Sequence, residues 1–226
     1  MNAKLTLQHS VFAILLIALP LQTQAALFVI DNFNQDQDAW SFNGDSINSG
    51  PLQLNTPGST HLSNAERTLF SQSGAGSSTF QAVQAVGGLL QITNSVTSDG
   101  IASVLWDGFD SVDFISLGIN AFLLDILAID HDVDIDFVVN GISSSPLQNF
   151  AGPGNNYVNF NDFSVPSVFN EVTSIRLNLR GPAAWDGQVK LVGAQNPSTV
   201  PEPDLFILLS FALIVFGLVK KNRTEL

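Results

Sequence analysis

Between residues 26 and 199 the chain alternates. Ile175, Leu177 and Leu179 are interleaved with Arg176, Asn178 and Arg180, so an extended strand there puts one face against a core and the other in water. Similar runs, closed by Gly, Pro, Asn, Asp or Ser, predict strands over Leu27–Ile30, Thr79–Val86, Leu89–Val96, Ile101–Trp106, Val133–Val139, Thr173–Arg180 and Gln188–Val192. Asn140-Gly141 after Val138-Val139 predicts a type I′ hairpin turn, whose two central residues both need positive φ. The apolar stretch from Phe114 to Ile129 fits a buried strand pair or a helix, and Gly118 with Asn120 favours strands joined by a turn. Ser71 to Ser78 reads as a flexible loop. Many short strands without repeats predict one all-β domain over residues 26–194, a single antiparallel β-sandwich or jelly roll.

The two ends do not alternate. Lys4, an apolar run from Val11 to Leu19, Pro20 and Thr23-Gln24-Ala25 have the layout of a secretory signal peptide over residues 1–25, cleaved between Ala25 and Ala26. That run reaches about 14 Å as helix, well short of a bilayer. At the other end, a linker over residues 195–200 leads to Pro201-Glu202-Pro203, an apolar block from Leu205 to Val219, and Lys220, Lys221 and Arg223. The block spans about 22 Å as helix, so it forms a transmembrane helix only if the lysines snorkel and the bilayer thins. The trailing cations place this end in the cytoplasm, and the expected domain lies outside the inner membrane.

Taken in order, Pro201-Glu202-Pro203, the apolar segment and the basic cluster resemble the PEP-CTERM sorting signal over residues 201–226. The resemblance implies export through the secretory translocon and trimming by signal peptidase. It then implies recognition of the Pro-Glu-Pro motif by an exosortase, a membrane-embedded cysteine transpeptidase. Delivery to the cell surface or extracellular polysaccharide matrix of a Gram-negative bacterium follows. Lys220-Lys221-Asn222-Arg223 stands where such signals more often carry arginine pairs. The physics is compatible: two prolines keep the motif extended, and Glu202 offers a solvated charge to a cationic pocket. A second, fold-level resemblance lies in Phe28–Phe33 and Ala184–Leu191, which are similar to the first and last strands of galactose-binding-like carbohydrate modules. It implies a jelly roll and a structural calcium ion between those strands.

Composition narrows the functions. Twenty acidic against eight basic residues give a net charge of -12, which repels nucleic acid. With 45% hydrophobic and only 12% charged residues, the chain is not a disordered acidic tail. The absence of cysteine excludes disulfides, thiolate catalysis and Cys-ligated metals.

Several residues invite chemistry. Asp31 and Asp186, with Asp36 or Asp38 nearby, form one candidate calcium site, although turn chemistry at Asp186-Gly187 is the favoured reading. Asp130, Asp132, Asp134 and Asp136 share one face of an extended strand and form either a cation platform or, the favoured reading, a solvated face. An EF-hand is excluded, because Ile135 holds its glycine position and Gly141 its glutamate position. Among Trp40, Trp106 and Trp185, the last two precede Asp-Gly pairs at loop edges and are candidates to stack on sugar rings, although core packing is the favoured reading. Beyond the leader only His61 and His131 supply imidazole, no Gly-x-Ser-x-Gly elbow occurs, and Glu66 and Glu171 are the domain's glutamates. The expectation is therefore an exported, non-enzymatic protein with a structural or adhesive role. The alternatives are a calcium-dependent carbohydrate-binding module and, third, a hydrolase of matrix polysaccharide.

Overall fold

The apolar sides of two antiparallel sheets meet in one core, giving the β-sandwich that the alternation predicts. The computed structural model describes residues 26–197. The signal peptide, the Pro-Glu-Pro motif, the apolar block and the basic cluster all lie outside the described residues.

The first sheet holds β1 (Phe28–Asp31), β2 (Gln37–Phe42), β6 (Phe80–Val86), β7 (Leu89–Asn94), β9 (Ala121–Ile129), β13 (Gly154–Asn159) and β15 (Gly187–Gln195). The second holds β3 (Ser46–Asn48), β4 (Leu52–Gln53), β5 (Glu66–Gln72), β8 (Ile101–Asp107), β10 (Val133–Val139), β11 (Ser143–Ser144), β12 (Gln148–Phe150) and β14 (Ile175–Arg180). Spatial order in the first is β13-β9-β15-β7-β6-β2. There β7 and β1 share one side of β15, at Gly187–Val189 and Val192–Ala194. The second runs β11-β10-β14-β8-β5-β3, with β12 beside β10 and β4 beside β5.

All seven predicted strands are present, and the structure adds others. The ambiguous stretch becomes a turn through Gly118, at φ 72°, followed by the single strand β9. Asp113 holds the start of that turn by accepting the hydroxyl and backbone N–H of Ser116, which keep its carboxyl below the usual range. Asn140 and Gly141 have φ of 53° and 68°, and Ile142 N–H donates to the Val139 carbonyl at 3.1 Å, as the predicted turn requires. The expected loop from Ser71 starts two residues later, since Ser71 and Gln72 close β5. β15 runs through Gln195, one residue beyond the expected domain boundary.

Phenylalanine fills the middle. Phe122 of β9 stacks on Phe137 of β10 at 4.5 Å, joining the sheets, and Phe160 lies flat on Phe169 at 3.6 Å. Toward β2 the core turns polar. Arg67 and Asp31 are both fully buried and form an ion pair at 3.0 Å. The guanidinium also donates to Gln37 Oε1 and the Gln35 carbonyl, and sits over the Phe33 ring at 5.8 Å. Ser41 of β2 and Ser71 of β5 meet between the sheets through their hydroxyls at 2.8 Å.

Candidate functional site

Neither tryptophan expected to stack on a ligand reaches the surface. Trp106 and Trp185 are both 0% exposed, which removes them as stacking residues and agrees with the favoured reading of core packing. Trp106 Nε1 donates to Asp31 Oδ2 at 2.8 Å, so its indole is consumed by the buried ion pair. Trp185 Nε1 donates to the Gly100 carbonyl at 2.9 Å, and its ring lies where a Cβ on Gly181 would intrude to 2.6 Å. The loop containing it turns at Pro182–Trp185, with Ala184 at φ 67°, and not at Asp186-Gly187, because Gly187 already begins β15.

The carboxylates expected to share a calcium ion are also separate. Asp31 lies opposite Val192, whereas Asp186 precedes Gly187, five positions back along β15, or roughly 17 Å of strand. Asp31 is committed to Arg67, Trp106 and the Phe33 N–H. Asp186 accepts the Asn94 N–H, and its own N–H donates to Asp130. The four-aspartate pattern breaks as well, because β9 ends at Ile129 and β10 starts at Val133, leaving Asp130 and Asp132 in the connection. Asp134 and Asp136 alone share the outer face of β10, where they bind Asn149 and, for Asp136, Asn178 and Arg180. Among the described residues no group of three or more His, Asp or Glu side chains is placed to hold a metal ion. Of the histidines, His61 accepts the Val29 N–H through Nδ1, and His131 is exposed in the β9–β10 connection.

The surface aromatic residues gather elsewhere, on β2 and β6. β2 inverts the usual amphipathic strand: its inward positions carry small Ala39 and Ser41, and its outward positions carry Asp38, Trp40 and Phe42. Trp40 is 41% and Phe42 51% exposed. Trp40 stacks near-parallel on half-buried Phe80 of β6, with ring centroids 6.4 Å apart, and Phe42 pairs directly across from Phe80. Among the described residues β2 ends the sheet. Beside it lies a shallow hollow of about 690 Å³ lined by Phe42, Asn43, residues 76–79 and Phe80. Asn43 shapes that rim, accepting the Ser78 N–H at 2.8 Å while its own N–H donates to the Thr79 carbonyl. Its amide nitrogen donates to no group among the described residues. Flat aromatic faces next to amide and hydroxyl groups match the two kinds of surface that a sugar ring presents, apolar C–H faces and a polar hydroxyl edge.

No family model and no curated protein matches the chain. Among solved structures, a module described as CtCBM11, studied in solution, is 8% identical, covers 78% of this chain and 98% of its own, and superposes with a TM-score of 0.40. The family 11 carbohydrate-binding module of a cellulosomal cellulase of Clostridium thermocellum is 11% identical, covers 76% and 95%, and gives 0.37.

The strip has a sequence signal. Asn43-Gly44, with φ of 56° and 87°, is a hairpin-type turn closed by Asp45 N–H donating to the Phe42 carbonyl at 2.9 Å. An Asn-Gly pair after Trp40-Ser41-Phe42 marks the end of a strand whose two aromatics share one face. The small residues that alternate with them, Ala39 and Ser41, mark the face against the other sheet.

Proposed function

We propose that the chain is an exported, non-catalytic adhesion protein that holds polysaccharide on the Trp40–Phe80 strip. The observation that carries this reading is the outward stack of Trp40, on edge strand β2 with its small inward residues, against Phe80 of the neighbouring β6. Large apolar rings left in water on a polar rim mark a contact surface. A stiff, flat ring offers much contact area at little loss of side-chain entropy. His61 supports the non-catalytic part, since its Nδ1 is spent accepting the backbone N–H of Val29 in β1.

The sorting signal supports the place of action. Secretion, recognition of Pro201-Glu202-Pro203 by an exosortase and release from a short membrane tether would bring the sandwich to the polysaccharide outside the cell. Adhesion there needs no turnover, only an exposed platform on a scaffold stable without disulfides.

Retention on insoluble polysaccharides tests the reading. The chain is expected to sediment with at least one neutral β- or α-glucan, and Trp40→Ala to lose about tenfold or more in affinity, as truncation of a central aromatic anchor does. Its melting temperature should stay within a few degrees of the parent, because the side chain is half in water. Equal sedimentation of parent and variant would overturn the proposal.

A further inference from the structure

The outer face of the second sheet carries a different chemistry. β14 points Arg176, Asn178 and Arg180 outward, and their cross-strand neighbours on β8 are Leu105, Ser103 and Ile101. Ser103 in turn faces Phe70 of β5, which faces Asn48 of β3, so Asn48, Phe70, Ser103 and Asn178 form one row across four strands. This row and Arg176 line a hollow of about 210 Å³, roughly seven water volumes, the size of a single pyranose unit.

Charge distinguishes this hollow among the described residues. The chain is strongly acidic, and the described residues contain four cationic side chains of Lys or Arg type. Three have carboxylate neighbours: Arg67 with Asp31, Arg180 with Asp136 at 2.8 Å, and Lys190 near Asp125 at 3.9 Å. Arg176 is exposed and has neither an ion pair nor a side-chain hydrogen bond among the described residues. Its neighbours on the two adjacent strands, Leu105 and Val138, are apolar. Asp136, the acid across from Asn178, is already neutralised by Arg180 and Asn178. Of the other acids on this face, Asp134 lies across from Arg180 and accepts from Asn149, while Asp107 and Glu66 pair across from each other beyond Leu105 and close that end of the hollow to an anion. An incoming carboxylate is thereby directed toward the Asn178 and Ser103 side of the guanidinium.

We propose that this hollow binds a carboxylate-bearing sugar of an acidic polysaccharide. Arg176 grips the carboxylate through its fork of N–H donors, Asn178 and Ser103 meet ring hydroxyls, and Phe70 underlies the apolar face. The proposal rests on the polysaccharide reading but assigns a second surface, on the other sheet from Trp40 and with the opposite requirement for charge. With both surfaces filled, one molecule joins a neutral and an acidic chain.

Native electrophoresis of the full chain, in detergent, through gels containing polygalacturonate, alginate, fully methyl-esterified polygalacturonate or dextran sulfate tests it. Expected are retardation by polygalacturonate or alginate, about tenfold weaker retardation of Arg176→Gln, and partial recovery with Arg176→Lys. The methyl ester, which keeps the sugar backbone without the charge, should not distinguish Arg176→Gln from the parent. Trp40→Ala should leave retardation by the acidic polymers intact, which separates this surface from the aromatic one. Absence of retardation by either uronate polymer would overturn the proposal even if neutral glucans bind. So would retardation by dextran sulfate alone, or an Arg176→Gln chain that runs as the parent does.

Discussion

Asp31 shows how one side chain decides the fate of several others. Its carboxylate accepts from Arg67, from the Trp106 indole and from the Phe33 backbone, all inside the core. A buried charge is tolerated only with a partner, so the pair must be kept or removed as a unit. Asp31→Ala leaves the Arg67 guanidinium buried without a counter-charge and is expected to cost about 3–5 kcal/mol in urea denaturation. The comparison is Asp136→Ala, whose partner Arg180 is half in solvent and whose loss should stay under about 1 kcal/mol. Equal, small losses for the two variants would contradict the role given to the buried network. The same geometry explains why the expected Asp31–Asp186 pairing does not form, because Asp31 already holds three donors and lies opposite Val192, six positions along the chain from Asp186.

Among the elements, those whose alternation follows polarity are legible in the chain, and those whose inward residues are polar or small are not. β14 reads directly, with Ile175, Leu177 and Leu179 inside and Arg176, Asn178 and Arg180 outside. β5 has the same period, but two of its inward residues are Arg67 and Ser71, so its polar residues lie on both faces and conceal the core side. β2 reverses the pattern outright and places Trp40 and Phe42 in water. β13, with Asn155, Asn156 and Asn159, is a strand because it pairs along β9, a long-range contact that local composition does not encode. The tryptophans fail for a related reason. Trp106 and Trp185 stand next to Asp-Gly pairs and look superficial, yet both indoles are engaged by residues distant in sequence: Asp31 for one, Gly100 for the other. Local spacing identified the strand that carries Trp106 but not what crosses over its indole.

At the scale of the whole molecule, the proposed function divides the work between the sandwich, which adheres, and the ends, which deliver it. That division predicts that sorting and adhesion fail independently. Replacing Glu202 with Gln, or deleting Lys220 to Arg223, is expected to leave full-length precursor in the inner membrane, seen by fractionation and intact-mass measurement, without changing glucan binding by the purified chain. Secreted material with Leu226 still attached would contradict the sorting half. Conversely, Trp40→Ala should reach the surface normally and be washed from the matrix.

Adhesion itself is most directly read from tryptophan emission, because Trp106 and Trp185 are fully buried and Trp40 alone of the three meets solvent. Titrating the chain with a soluble glucan oligosaccharide should give a saturable blue shift as a sugar ring displaces water from the indole, and Trp40→Phe should abolish the shift. Emission that stays unchanged at saturating oligosaccharide, or a shift that survives in Trp40→Phe, would contradict the assignment of the aromatic strip as the polysaccharide-binding surface.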